Sequence, residues 1–121
     1  MGISKASAVW SGGFKDGKGA MKPEHAGEAN FSAGSRFEGQ QGSNPEELVG
    51  AALAGCFSMA LSVGLGKAGL KPEKIDTKAE VKLEKVGDAF SITQIALTTE
   101  VKVAGDDLLI INETDILGIL G

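Results

Sequence analysis

The sequence has no tyrosine, one tryptophan, one cysteine and one histidine in 121 residues, and each scarcity excludes a class of site. With so few aromatic side chains, we do not expect a base-stacking platform for single-stranded nucleic acid. The 12 basic and 16 acidic residues give a net charge of −4, whereas nucleic acid and anionic membranes both require a basic face. We therefore expect neither nucleic acid nor a membrane as a partner.

The single cysteine and the single histidine also limit the chemistry. Cys56 cannot form an internal disulfide, and His25 cannot complete a zinc site with it, so we expect His25 to be a solvated loop residue. The N-terminal segment MGISKASAVW has no apolar stretch of signal-peptide length. From these features we expect a cytoplasmic protein with a reduced thiol.

The longest uncharged segment, Leu48 to Gly66, predicts a helix. Asn44 and Pro45 suit its N-cap and first turn, and Gly69 suits its C-terminal cap. The segment is long enough to cross a membrane, but glycines dilute it and alternating strands follow, so we expect a helix buried inside the protein. Because it is apolar on nearly every face, we expect it to be enclosed on all sides.

Small residues recur every four positions along this helix, at Ala52, Cys56, Ala60 and Gly64. Residues four apart lie on one face, and small side chains there let a second helix approach closely. The sequence supplies one helix of this kind, so we expect the same helix of a partner subunit to be its neighbour.

The rest of the chain indicates antiparallel sheet. Residues 77–86 alternate apolar and charged side chains, and residues 90–103 form a second strand whose apolar phase shifts by one near Thr93, which predicts a β-bulge. Residues 6–10 also alternate, and a further strand is predicted to run towards Phe37. Residues 106–121 show no clear pattern. Without repeats or a linker, the chain is predicted to be one α+β domain, residues 1–121.

The segment GGFKDGKG nearly spells the phosphate-binding loop G-x-x-x-x-G-K-[ST]. Its last position is Gly19, which has no hydroxyl to bind magnesium, and no helix obviously follows. We therefore predict a hairpin turn here and no nucleotide.

Cys56 is the candidate nucleophile, although free cysteine is commonly an inert core residue and that alternative stays open. A thiol attacks as the thiolate, which a nearby cation favours. Arg36 is the candidate cation, because a guanidinium stays protonated and can bind a sulfur and a carboxylate together. Glu46 is the candidate carboxylate. The alternatives are a surface arginine in a turn, and a glutamate that only complements the helix N-terminus.

Geometry limits this hypothesis. Glu46 and Cys56 are ten residues apart in the sequence. That separation is about 15 Å along a straight helix at about 1.5 Å per residue, so the two side chains cannot touch within one straight helix. If they share a site, either a partner subunit contributes one of them or the chain bends around Glu46. A site at a dimer interface therefore follows from the hypothesis.

Residues 36–62, RFEGQQGSNPEELVGAALAGCFSMALS, closely resemble the OsmC branch of the OsmC/Ohr family of organic hydroperoxide reductases. The segments PEKIDTKAEVKLEKV and FSITQIALTTEV resemble the same family, and the likeness extends over about residues 1–105. It implies an α+β fold in which antiparallel sheets wrap around a central buried helix in an intertwined homodimer. By the same resemblance, Cys56 is the peroxidatic cysteine, Arg36 activates it, and Glu46 orients the arginine.

The resemblance also implies the reaction. The expected activity is thiol-dependent reduction of organic hydroperoxides to alcohols in stress defence, with an external thiol or a lipoyl-type dithiol as reductant. Neither a metal nor another cofactor is expected. An apolar surround that includes Leu53 and Phe57 would favour alkyl hydroperoxides over hydrogen peroxide.

The sequence departs from the family after Gly105. Family members continue into another helix with a second cysteine, commonly in a C-P-V-S context, whereas residues 105–121 diverge and contain none. We expect either a truncated or altered reading frame, or a protein whose oxidised Cys56 is reduced by an external thiol. The alternative function, from another class, is a non-catalytic dimer that keeps the fold and a buried thiol.

Overall fold

The computed structural model describes residues 2–103 and 108–115, which fall into two compact units, Met1–Leu48 and Val49–Gly121. The first unit contains strands β1 (Ala6–Ser11), β2 (Lys18–Pro23) and β3 (Ala29–Phe31), followed by the short helix α1 (Ala33–Phe37). Helix α2 (Pro45–Lys67) begins before the boundary and continues into the second unit, which adds β4 (Pro72–Val86), β5 (Ala89–Val103) and β6 (Leu108–Asp115). The predicted α+β class is confirmed.

The first unit is built on the predicted hairpin. β1 pairs antiparallel with β2, from Ala6 opposite Pro23 to Ser11 opposite Lys18. Between them the chain turns at Gly12, which has a φ of 98°. This left-handed conformation favours glycine, because a side chain would be strained there. The GGFKDGKG segment is therefore a hairpin connection, as predicted. His25 lies in the next turn, with its side chain 90% exposed, also as predicted.

The strand predicted to run towards Phe37 is wrong beyond Phe31. β3 ends there, and residues 33–37 form α1. The reason is a capping box: the backbone N–H of Ser35 donates to Ser32 Oγ at 3.1 Å, and the backbone N–H of Ser32 donates to Ser35 Oγ at 2.8 Å. These reciprocal bonds satisfy N–H groups that a helix start leaves unpaired, so the chain turns into a helix after Ser32.

Helix α2 has the predicted ends. The backbone N–H of Glu47 donates to Asn44 Oδ1 at 2.8 Å, which makes Asn44 the N-cap. At the other end Gly69 has a φ of 82°, and the N–H of Leu70 donates to the carbonyl oxygen of Leu65 at 2.9 Å. This is the Schellman arrangement, in which glycine supplies the left-handed residue that closes the helix.

The second unit contains an antiparallel sheet in the order β4-β5-β6. The predicted bulge is confirmed: Lys82 lies opposite Gln94 but Leu83 lies opposite Ile92, which leaves Thr93 as the extra residue. The bulge moves the apolar side chains of β5 from even to odd positions, so both halves of the strand keep the same buried face. β6 pairs with β5 from Leu108 opposite Lys102 to Asp115 opposite Ile95. Residues 104–107 and 116–121 lie outside the described residues.

The core of the second unit lies between α2 and the sheet. Ile92, Ile95 and Leu97 are its buried members. Partly buried side chains pack against them from the helix and from β4: Val49, Leu53, Phe57, Ala79, Val81 and Leu83. Their spacing on the helix, at i, i+4 and i+8, is that of one helical face.

One chain covers only this face of α2. The small residues that recur at four-residue spacing, from Ala52 to Gly64, are exposed. Enclosure on all sides, which the composition of the helix predicts, is not reached within the described residues, where these small residues stay exposed. By length and composition α2 could also cross a membrane, but the core helix of a soluble protein satisfies the same criteria.

Candidate functional site

A bidentate ion pair joins two of the predicted site residues within the first unit. Arg36 Nε donates to Glu46 Oε1, and Arg36 Nη2 donates to Glu46 Oε2, each at 3.0 Å. The Glu46 side chain is 11% exposed and the Arg36 side chain 32%. The two planar groups therefore meet edge to edge in a partly buried position. This bidentate geometry holds the orientation of a guanidinium better than a single hydrogen bond does.

Arg36 keeps hydrogen-bonding capacity beyond this pair. A guanidinium has five N–H donors, and Glu46 accepts from two of them. The Arg36 side chain also lies over the Phe37 ring, with the guanidinium carbon 5.1 Å from the ring centroid. Within residues 2–103, Glu46 is the acceptor that binds the guanidinium. The arrangement can therefore hold an anionic or oxygen-rich group beside the pair.

The segment between α1 and α2 brings the pair together. Ser35, which is buried, donates from its hydroxyl to the carbonyl oxygen of Ser43 at 2.7 Å. The backbone N–H of Ser43 in turn donates to the carbonyl oxygen of Asn30 at 2.8 Å. These bonds fold the chain back so that the first turn of α2, with Glu46, lies beside Arg36 in α1.

This fold-back requires glycine at position 42. Gly42 has a φ of 129°, which disfavours any other residue. A Cβ atom there would also lie 3.1 Å from Ser35 Cβ and 3.3 Å from the Asn30 carbonyl oxygen. The close approach of backbone to the Ser35 side chain explains why RFEGQQGSNPEE has this glycine two residues before Asn44.

An aromatic cleft lies beside the arginine. Its volume is about 170 Å³, and it is lined by Trp10, Phe14, Phe31, Ser32, Ala33, Arg36 and Phe37. The rings contact in pairs: the Trp10 and Phe31 centroids are 5.4 Å apart, and the Phe14 and Phe37 centroids are 6.2 Å apart. An apolar wall with one cation at its side suits a ligand that has an apolar body and a polar end.

Cys56 lies in the middle of α2 within the second unit, and its side chain is exposed in the single chain. Leu53 and Phe57, from which an apolar surround of the thiol is predicted, pack against the Ile92, Ile95 and Leu97 cluster. The apolar surround stays a prediction. The burial assumed in the alternative of an inert core cysteine is wrong for the single chain, whereas the reactivity of Cys56 stays a prediction.

The described residues offer no metal centre. Among the described side chains, those of residues 2–103, no three His, Cys, Asp or Glu groups come together in a way that could hold a metal ion. The roles of Cys56, Arg36 and Glu46 as catalytic residues stay predictions.

The sequence of the chain matches the family of OsmC-like proteins over residues 38–111. It is also 51% identical over 105 residues to Peroxiredoxin OsmC of Escherichia coli, which covers 85% of this chain and 73% of that protein. Peroxiredoxin OsmC of Shigella flexneri matches with the same identity and coverage. The chain belongs to the OsmC family. The resemblance seen in the residues around Cys56 is thereby confirmed, and the matched range includes both Glu46 and Cys56 of this OsmC chain.

The aromatic cleft of this OsmC chain was not predicted from the sequence. Four of the six aromatic residues in the sequence, Trp10, Phe14, Phe31 and Phe37, line it. They come from β1, the hairpin, β3 and α1, so no single motif contains them. Their concentration in the first 37 residues, in a chain poor in aromatics, was the available signal.

Proposed function

We propose that this OsmC-family protein is a thiol-dependent peroxidase that reduces organic hydroperoxides to alcohols through Cys56. The observation that carries the proposal is the 51% identity to two proteins named Peroxiredoxin OsmC over 85% of the chain. The exposed thiol of Cys56 and the ordered Arg36–Glu46 pair supply the chemical groups that such a reaction needs. A metal or other cofactor has no part in the proposed reaction.

In the proposed reaction the Cys56 thiolate attacks the terminal oxygen of the hydroperoxide. A sulfur–oxygen bond forms and the oxygen–oxygen bond breaks, so sulfur loses two electrons and the peroxide gains them. The leaving alkoxide takes up a proton to become the alcohol, and Cys56 becomes a sulfenic acid. An external thiol or dithiol then attacks this sulfur and releases water, and a second thiol group displaces Cys56 and regenerates it.

Arg36 is proposed to stabilise the anionic groups of this reaction, and Glu46 to hold it in place. The guanidinium stabilises the negative charge that grows on the peroxide oxygens. The bidentate contact with Glu46 fixes the plane of the guanidinium, which a single contact would leave free to turn.

We propose that the working form is a soluble homodimer in the cytoplasm with its active sites at the subunit interface. One observation supports the dimer: the small, exposed residues of α2 form a face that the single chain does not cover. A second copy of the same helix fits such a face, since small side chains allow close approach.

The test measures hydroperoxide consumption and alcohol formation with cumene hydroperoxide, hydrogen peroxide as comparison, and dithiothreitol or dihydrolipoamide as reductant. Wild-type protein should consume the organic hydroperoxide faster, and Cys56→Ser should not consume it. A matched control, Cys56→Ser with Ser62→Cys, carries one thiol on the same helix at another exposed position. Equal consumption by wild type and this control, or none by wild type, would reject the peroxidase in favour of a non-catalytic OsmC-like dimer.

A further inference from the structure

A chain of three hydroxyl groups links α2 to the sheet of the second unit. Ser58 Oγ lies 2.6 Å from Thr77 Oγ1, and Thr77 Oγ1 lies 3.1 Å from Thr99 Oγ1. Thr99 is fully buried, and the other two are half-buried. The chain passes from α2 through β4 to β5 within an otherwise apolar contact, so its three members depend on one another for hydrogen bonds.

The position of Ser58 on the helix decides where Cys56 lies. The two residues are two positions apart, which is about 200° around the axis at 3.6 residues per turn. With the Ser58 hydroxyl bonded to the sheet, the Cys56 side chain must lie on the face away from it. The observed exposure of Cys56 agrees with this geometry.

Apolar contacts alone define the rotation of α2 poorly. The helix is apolar on nearly all sides, from Leu48 to Gly66, so turning it about its axis would replace one set of aliphatic contacts with another. A turned helix would leave the half-buried Thr77 hydroxyl without Ser58, with the buried Thr99 as its remaining partner. Since the turn breaks the hydrogen bond between Ser58 and the half-buried Thr77, the hydroxyl chain discriminates between helix orientations that hydrophobic packing does not.

We propose that Ser58, Thr77 and Thr99 are positioning residues that fix the rotation of α2 on the sheet and thereby the direction in which Cys56 points. This inference rests on the proposed function only for its consequence for activity. The orientation itself is a property of the fold and can be measured without any peroxide.

The single cysteine makes that measurement direct. A nitroxide spin label attached to the Cys56 thiol reports its surroundings by electron paramagnetic resonance, with no other residue labelled. Labelled wild-type protein should give one spectral component. Ser58→Ala and Thr77→Val should each add a second component of different mobility, from molecules in which the helix has turned. Ser58→Thr keeps the hydroxyl and should restore the single component.

Two controls separate positioning from plain loss of stability. Ser62→Ala removes a hydroxyl from an exposed position on the same helix, and Val103→Ala removes buried volume from β5. Both should keep the wild-type spectrum, although Val103→Ala lowers the resistance to urea. Wild-type spectra in folded Ser58→Ala and Thr77→Val, or a second component that also appears in Val103→Ala, would overturn the proposal.

Activity is measured on the same variants without the label. Because small misplacements of a reacting group are costly, Ser58→Ala and Thr77→Val should reduce cumene hydroperoxide about tenfold more slowly, and Ser58→Thr close to the wild-type rate. A wild-type rate of zero would reject the proposed peroxidase and leave the spectra to decide the positioning role. Altered spectra with an unchanged rate would limit the hydroxyl chain to the fold and refute its role in the reaction.

Discussion

Glu46→Gln tests whether the Arg36–Glu46 pair is a working unit. The substitution keeps the shape of the side chain but removes its charge, and it turns one acceptor towards Arg36 into an NH2 group. One of the two 3.0 Å hydrogen bonds to the guanidinium is then lost, and two donors face each other. We expect a less stable protein and slower hydroperoxide reduction.

The expected size follows from the burial of the two groups. Breaking a fully buried pair costs about 3–5 kcal/mol, and a fully exposed pair is worth about 0–1 kcal/mol. Here Glu46 is 11% exposed but Arg36 is 32% exposed, so water can hydrate the released guanidinium in part. With one hydrogen bond retained, we expect the free energy of unfolding to fall by about 1.5 kcal/mol, between those limits.

Glu47→Gln is the matched control. Glu47 is the next residue in the same first turn, it is exposed, and it has the same charge. Loss of its charge removes a favourable interaction with the helix N-terminus of about 0.5 kcal/mol, a loss that Glu46→Gln shares. The amide oxygen of glutamine can still accept the hydrogen bond that the Ser43 hydroxyl donates to Glu47 Oε1 at 2.7 Å. Urea unfolding of both variants at pH 7 therefore isolates the pair.

The rate of hydroperoxide reduction is measured on the same two variants and on Arg36→Ala and Arg36→Lys. Glu47→Gln should keep the wild-type rate, Arg36→Ala should be slowest, and Arg36→Lys should recover only part, since an ammonium has no planar fork. Glu46→Gln should lie between wild type and Arg36→Ala. If Glu46→Gln and Glu47→Gln agree within about 0.5 kcal/mol in stability and have equal rates, the pair has no special role.

Three further predictions concern other parts of the chain. Because Cys56 is the sole cysteine, intact mass spectrometry should show one added oxygen after one equivalent of cumene hydroperoxide and further added oxygens in excess peroxide. The enzyme should lose activity progressively in that excess. Sustained turnover with a dithiol and without such added oxygens would contradict this prediction. Gly55→Ala should raise the stability of the helix but weaken dimerisation in sedimentation, whereas Gly50→Ala should destabilise the fold, because its Cβ would lie 2.9 Å from a valine methyl group of β4. The Thr93 hydroxyl donates a hydrogen bond to Glu84 and thereby lowers the pKa of that carboxyl. Glu84→Gln should therefore be less stable than wild type at neutral pH, and this difference should vanish as the pH falls through the lowered pKa. A stability difference that does not change with pH in acid titration would refute the linkage.

Local sequence signals predicted the second unit well. Alternation along residues 77–86, the phase shift near Thr93 and the caps of α2 are all decided by residues close in sequence, and each is confirmed. A bulge leaves a direct trace, because one extra residue moves every later side chain to the other face unless the pattern shifts with it. The same holds for the N-cap, whose side chain bonds only three residues away.

The candidate site depends on contacts that local sequence patterns do not predict. Arg36 and Glu46 could be paired from the chemistry of their side chains, and the structure confirms the pair. The sequence did not predict the hydrogen bond from the Ser35 hydroxyl to the Ser43 carbonyl oxygen that brings them together, because a serine in a loop has many available partners. Helix α1 was not predicted for a related reason. Its five residues are too few to show a helical repeat of apolar positions, and a capping box starts the helix.

The glycines of α2 indicate that part of its exposed surface packs against another chain. A glycine inside a helix costs about 1 kcal/mol relative to alanine. Gly50 has a local explanation, because a Cβ there would lie 2.9 Å from the Val81 side chain. Gly55 and Gly64 have none, since nothing in the described chain lies within 4 Å of the Cβ that either would carry. The two together weaken the isolated helix by about 2 kcal/mol, and no close packing within the described residues offsets that loss. Gly55 and Gly64 are nine residues apart, which places them on opposite sides of the helix, so one partner helix can pack closely against only one of them. A second helix packed against Gly55 would offset about 1 kcal/mol of the loss, which is why we infer that the face containing Gly55 meets a partner copy.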